Sequence, residues 1–147
     1  MREYETWMAR AIAEARSSSA DGDGPVGAIL VRDGVSIGTG RNTKTSTRSG
    51  FAHAELNALL DARADLGRRP RGVTLYTTLE PCAMCLAAAM YAGVSRLVYG
   101  ASDPGGGAVA MFAADSHHRA LMPEIVSGVL REECEALKNL AGFGRRE

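Results

Sequence analysis

The stretch Val73-Thr74-Leu75-Tyr76-Thr77-Thr78-Leu79-Glu80-Pro81-Cys82-Ala83-Met84-Cys85 contains the change of period that decides the fold. Val73, Leu75, Thr77 and Leu79 recur at every second position, the spacing of a strand. Pro81 then suits a helix start, where its missing N–H would have no partner anyway. Ala83 to Ala92 carries no charge and is followed by Gly93, which predicts a helix covered on most sides. A strand leading straight into such a helix places Cys82 and Cys85 at a helix N-terminus, above the end of a sheet.

On the N-terminal side, Tyr4, Trp7, Met8, Ala11, Ile12 and Ala15 follow helical spacing and predict an opening amphipathic helix. Val26 to Val31 is a compact apolar run, and Asp33-Gly34 reads as a hairpin turn into Val35–Gly38. Arg41 to Gly50 reads as a polar loop, and Ala54 to Leu66 as a helix stopped by Gly67. Arg68-Arg69-Pro70-Arg71 reads as a further loop.

On the C-terminal side, Ser95–Tyr99 predicts a strand and Gly105-Gly106-Gly107 a break. Ile125-Val126 predicts a short strand, and Leu130, Cys134, Leu137 and Ala141 mark one face of a last helix. Helices and strands alternate after the hairpin, so the expectation is an α/β protein with a mixed sheet between helices. No repeat or linker interrupts residues 1–147, which read as one domain.

Lys plus Arg and Asp plus Glu number 17 each, so no global basic field favours nucleic acid. No apolar run resembles a secretion signal or approaches membrane-spanning length. Three cysteines, two of them in C-x-x-C, suit metal or redox chemistry in a reducing compartment. The expected location is the cytoplasm, with no membrane partner.

The chemistry concentrates in His53-Ala54-Glu55 and Pro81-Cys82-Ala83-Met84-Cys85. A helix N-terminus lowers the pKa of a thiol, and a metal lowers it further. Two thiolates and one imidazole form a nitrogen–sulfur set suited to Zn²⁺, one ion per chain. Three protein ligands leave a tetrahedral corner for water, which zinc acidifies. Glu55 stands two residues from His53 and cannot share its helical side. If the metal sits beyond the helix end, Glu55 can still reach it as a proton carrier. Taken alone, the cysteines also fit core packing or a thioredoxin-like redox pair. A purely structural zinc site would want a fourth ligand, and the motif offers no obvious one.

His53-x-Glu55 with Pro81-Cys82-x-x-Cys85 resembles the signature of the cytidine deaminase superfamily. The similarity is greatest to the branch of bacterial tRNA adenosine deaminases and small guanine or nucleoside deaminases. It rests on Gly24-Pro25-Val26-Gly27-Ala28, Asn42, Thr78-Leu79-Glu80-Pro81-Cys82 and Leu97-Val98-Tyr99-Gly100-Ala101. The resemblance implies a three-layer α/β/α fold around a five-stranded mixed sheet, and a homodimer. It implies that His53, Cys82 and Cys85 bind zinc and that Glu55 is the general acid/base. It further implies substrate contacts from Asn42, Val26, Ala54, Pro81 and Asp103.

Three stretches depart from the tRNA-enzyme pattern: Arg48-Ser49-Gly50-Phe51-Ala52, Pro104-Gly105-Gly106-Gly107 and the sparse tail Ala141–Glu147. They remove stacking and phosphate contacts that an RNA loop would use. The sequence therefore favours a free nucleobase, nucleoside or nucleotide as substrate. Wobble-adenosine deamination in tRNA is the alternative, and a non-catalytic zinc-stabilised binding module the remote one. Arg41, Lys44 and Arg48 read as a solvated loop, or as a phosphate-binding rim near Asn42. Asn42 and Asp103 also fit plain turn chemistry. Cys134 reads as core, and His117-His118 as a surface pair.

Overall fold

The computed structural model describes residues 2–67 and 71–144. Arg68-Arg69-Pro70, read as part of a loop, and Arg145-Arg146-Glu147 at the end of the tail lie outside the described residues.

Helix α1 spans Arg2–Ala20, and the hairpin follows as β1 (Gly27–Arg32) and β2 (Val35–Arg41). Asp33 (φ 52°) and Gly34 (φ 72°) both take the left-handed conformation. That is the geometry of a two-residue turn whose twist matches its strands. Next come α2 (Lys44–Thr47), α3 (Ala54–Asp61), α4 (Arg63–Leu66), β3 (Val73–Leu79) and α5 (Ala83–Ala92). The chain continues through β4 (Arg96–Ala101), α6 (Val109–Ala114), α7 (Ser116–Arg119), β5 (Glu124–Ser127) and α8 (Arg131–Ala136). A 3₁₀ turn at Leu137–Asn139 is the last regular element among the described residues.

The five strands form one sheet in the order β2-β1-β3-β4-β5. β1 is antiparallel to β2 and β3, whereas β3, β4 and β5 run parallel. This is the mixed α/β arrangement expected from the sequence. Alternation along β1 splits its side chains between two cores. Ala28 and Leu30 join α3 and α5 on one face, with Leu75, Leu86 and Leu97. Ile29 and Val31 join α1 and Cys134 on the other, with Met8, Tyr76 and Val98. The sheet is thus sandwiched between two helical layers. Among the described residues, no helix is long and apolar enough to cross a membrane.

Helix α3 is seated on β2 by two glycines. A Cβ at Gly38 would overlap the carbonyl of Ala58, and one at Gly40 the carbonyl of Ala54. Small residues here let the helix backbone press against the strand, which fixes where the start of α3 points.

Several elements differ from the sequence reading. The helix expected over Ala54–Leu66 breaks at Ala62 into α3 and α4. The last helix ends sooner than its apolar spacing implies, passing into the 3₁₀ turn. The 41–50 loop contains the one-turn α2, and α6 and α7 fill the segment after the glycine run. These short pieces are held by tertiary contacts, because one or two turns are marginal by themselves. α5 buries Cys85, Leu86, Ala89 and Met90, but Ala83 and Tyr91 are exposed. Part of its uncharged surface is therefore left uncovered in this chain.

Candidate metal centre and active site

Two helix N-termini meet at one end of the sheet. His53 is the N-cap of α3 and Cys82 the N-cap of α5. Both backbones are extended there, and neither side chain caps its helix, so both are free to turn toward a common point. Cys85 lies in the first turn of α5 and is buried. One ligand atom from each of His53, Cys82 and Cys85 lies within 4.8 Å of the other two. The His53 Nδ1 and Cys82 Sγ atoms are 3.6 Å apart. Because His53 precedes the helix, its separation from Glu55 is not a helical rotation, and both side chains reach the same place.

The electrostatics fit a dipositive ion. The hydrogen bond from Cys85 holds the Cys82 thiol down at about 3. The same bond, together with burial, pushes Cys85 strongly upward. Cys82 is thus favoured as the thiolate and Cys85 as the thiol, and a cation that displaces the remaining proton lets both act as thiolate donors. His53 is raised, chiefly by its contact with Cys82. One imidazole and two sulfurs are a donor set that zinc accepts, with room for a fourth ligand.

Glu55 is 4% exposed. Burial pushes its carboxyl up to about 7. A carboxyl near 7 exchanges protons in both directions at neutral pH.

His53, Glu55 and Cys82 line a cavity of about 400 Å³. Val26, Asn42, Ala54 and Asp103 line it as well. Pro81 does not; it is buried, and its carbonyl accepts a hydrogen bond from the Ala108 N–H at 3.0 Å. Asn42 Oδ1 accepts from the Lys44 N–H at 2.9 Å. Asp103 does take the turn role that its sequence suggests, accepting at 3.3 Å from the N–H groups of Gly105 and Gly106. Glu80 anchors that loop by accepting from the N–H groups of Asp103 and Val109, each at 3.2 Å.

Sequence reasoning overlooks part of the wall. Thr45 of α2 faces the cavity, as do Gly142, Phe143 and Gly144 from the tail. Lys44 stands at the rim suggested for a phosphate, whereas Arg41 pairs with Asp21 at 3.5 Å. The tail reads as too sparse to contribute an aromatic, yet it folds back and places Phe143 in the lining. No local pattern signals this, because the return follows the end of a helix and Phe143 lies 58 to 90 residues from the ligands. Cys134 is buried in the core, as expected. His117 and His118 lie on α7 away from the cavity, where His118 Nδ1 meets Asp115 at 2.6 Å.

The family model for the cytidine and deoxycytidylate deaminase zinc-binding region matches residues 1–101. The chain belongs to this deaminase family. It is therefore a zinc-dependent hydrolytic deaminase acting on C–N bonds. The tRNA-specific adenosine deaminase of Bacillus subtilis is 39% identical, over 99% of this chain and 91% of that protein. A solved structure from a study of wobble-position A-to-I editing by tRNA:A34 deaminases superposes with a TM-score of 0.84 at 38% identity. It covers 90% of this chain and 98% of that one. A guanine deaminase from Nitrosomonas europaea gives a TM-score of 0.75 at 27% identity, covering 92% of this chain and 82% of that one. The deaminase fold thus agrees with the layered sheet described above. Of these three proteins, the two of higher identity are tRNA adenosine deaminases.

Proposed function

We propose that this deaminase converts adenosine to inosine at the wobble position of a tRNA anticodon loop. The observation that carries the chemistry is a buried Glu55 beside three converging ligand atoms on the wall of one cavity. The choice of substrate is supported by the tRNA-specific relatives. It is also supported by Phe143 and Lys44 in the cavity wall, an aromatic plane and a cation of the kinds that RNA loops use. These two residues replace contacts that the sequence departures remove.

In this reading His53, Cys82 and Cys85 hold the zinc. The ion supplies a Lewis acid that lowers the pKa of water. Glu55 accepts a proton from the attacking water and delivers it to the ring nitrogen. It then takes the remaining proton from the added hydroxyl and passes it to the exocyclic amine as the C–N bond breaks. Water adds its oxygen to the ring carbon, ammonia leaves, and a carbonyl remains. Val26 and Ala54 flank the base. Asn42, oriented by its bond to the Lys44 N–H, presents its amide to base or ribose, and Asp103 faces the ribose side. Pro81 stands behind the wall, where its carbonyl holds the Ala108 N–H. A second copy of the chain covers the exposed, uncharged side of α5.

The test is a substrate panel with zinc-loaded protein: an anticodon stem-loop bearing a wobble adenosine, free adenosine, adenine, guanine and cytidine. Ammonia release and inosine formation are measured together. The stem-loop is expected to give the highest kcat/KM. Faster turnover of guanine, or of any free base or nucleoside, would overturn the tRNA assignment and restore the small-molecule reading.

A further inference from the structure

We propose that Asp23 is a positioning residue that assembles the mouth of the substrate cavity. The proposal rests on the deaminase reading of the site. Asp23 follows α1, is 1% exposed, and is absent from the cavity lining. Its carboxylate nevertheless holds one part of the wall, and its backbone carbonyl seats another.

The first part is α2. This four-residue turn has no side-chain cap of its own, so its leading N–H groups need an outside acceptor. Asp23 Oδ1 accepts from the N–H groups of Thr45 (2.8 Å) and Ser46 (2.9 Å). Oδ2 accepts from the Ser46 hydroxyl at 2.8 Å. A buried carboxylate is tolerated when donors surround it, and here all three come from one turn. The turn carries Lys44 and Thr45 into the cavity wall.

The second part is the tail. Gly142 has φ 93° and lies so close to the Asp23 carbonyl that no Cβ would fit between them. The Ser19 hydroxyl donates to the Ala141 carbonyl at 2.8 Å and fastens the approach to that contact. Phe143 reaches the cavity because Gly142 is seated there. The segment from Ser19 to Asp23 thus joins a turn and a tail that lie more than ninety residues apart in sequence. Neither part supplies a metal ligand, so loss of this junction should weaken substrate capture more than the chemical step.

The experiment uses zinc-loaded full-length protein and whichever amine substrate the wild type turns over fastest, so it survives a wrong choice of tRNA. Asp23→Ala should raise KM about tenfold or more, with kcat within about threefold and zinc content unchanged. Asp23→Asn keeps an oxygen acceptor for both N–H groups and should recover most of that loss. Hydrogen exchange at Thr45 and Ser46 should accelerate in Asp23→Ala, a readout that needs no substrate. Gly142→Ala should raise KM independently by displacing the tail. An unchanged KM in Asp23→Ala overturns the proposal. So does a parallel loss of kcat, zinc and thermal stability that Asp23→Asn fails to rescue. If Asp23→Ala does not fold, Ser46→Ala and Gly142→Ala decide, and a wild-type KM in both overturns the proposal.

Discussion

Replacing Glu55 by glutamine isolates proton transfer from metal binding. The amide keeps the size of the side chain but cannot accept and return a proton. Glu55 contributes no ligand atom to the His53–Cys82–Cys85 group, so Glu55→Gln should retain one zinc per chain. General acid–base catalysis is worth about 10²–10⁴-fold, or roughly 3–5 kcal/mol of barrier. Turnover should fall by that factor in single-turnover assays with the best substrate of the panel. The same substitution should also stabilise the zinc-stripped protein. Burial raises the Glu55 carboxyl from 4.5 to about 7, so the folded chain retains a proton that the unfolded chain releases. Wild-type stability therefore falls as pH rises from 4.5 to 7. At about 1.36 kcal/mol per pKa unit, the glutamine variant should gain roughly 3 kcal/mol relative to wild type above pH 7. That gain should fade below pH 4.5, where the carboxyl is protonated in both states. Urea melts between pH 4 and pH 8 measure it. A variant that keeps more than about a tenth of wild-type turnover would refute the proton-transfer role. A stability difference that does not change across this pH range would refute the burial argument.

Cys82→Ala removes the ligand at the start of α5 and leaves two donors; zinc content by elemental analysis and turnover should both collapse, and retention of one ion per chain would contradict the ligand assignment. Gly40→Ala puts a Cβ into the backbone of α3 and should cost about 1–3 kcal/mol in denaturant melts while weakening zinc retention through the displaced His53. A neutral effect on both would show that the close seating of α3 on β2 does not position the site. Sedimentation of the wild type should give twice the chain mass, and Tyr91→Asp on the exposed side of α5 should lower it. A monomeric wild type would leave the uncharged surface of α5 without the partner assigned to it.

The core of the site could be read from the sequence because its parts are local. His53 and Glu55 sit within three residues, Cys82 and Cys85 within four, and each pair begins a helix whose pattern is plain. The alternation in β3 and the Asp33-Gly34 turn likewise follow from neighbouring residues. The family signature added what local chemistry left open, separating zinc ligands from a redox pair. Substrate choice was harder to read, because tail composition suggested a missing aromatic that the fold in fact supplies.

From the sequence alone came the strand-to-helix junction, the nitrogen–sulfur donor set and the acid beside it, since propensity and spacing act over a few residues. Tertiary structure alone decided that α2 and the tail border the cavity and that Asp23 holds both. It also decided that Pro81 stays behind the wall. Those relations depend on backbone hydrogen bonds and close glycine contacts between segments distant in the chain. No short-range pattern encodes them, because each partner looks like an ordinary turn until the other is packed against it.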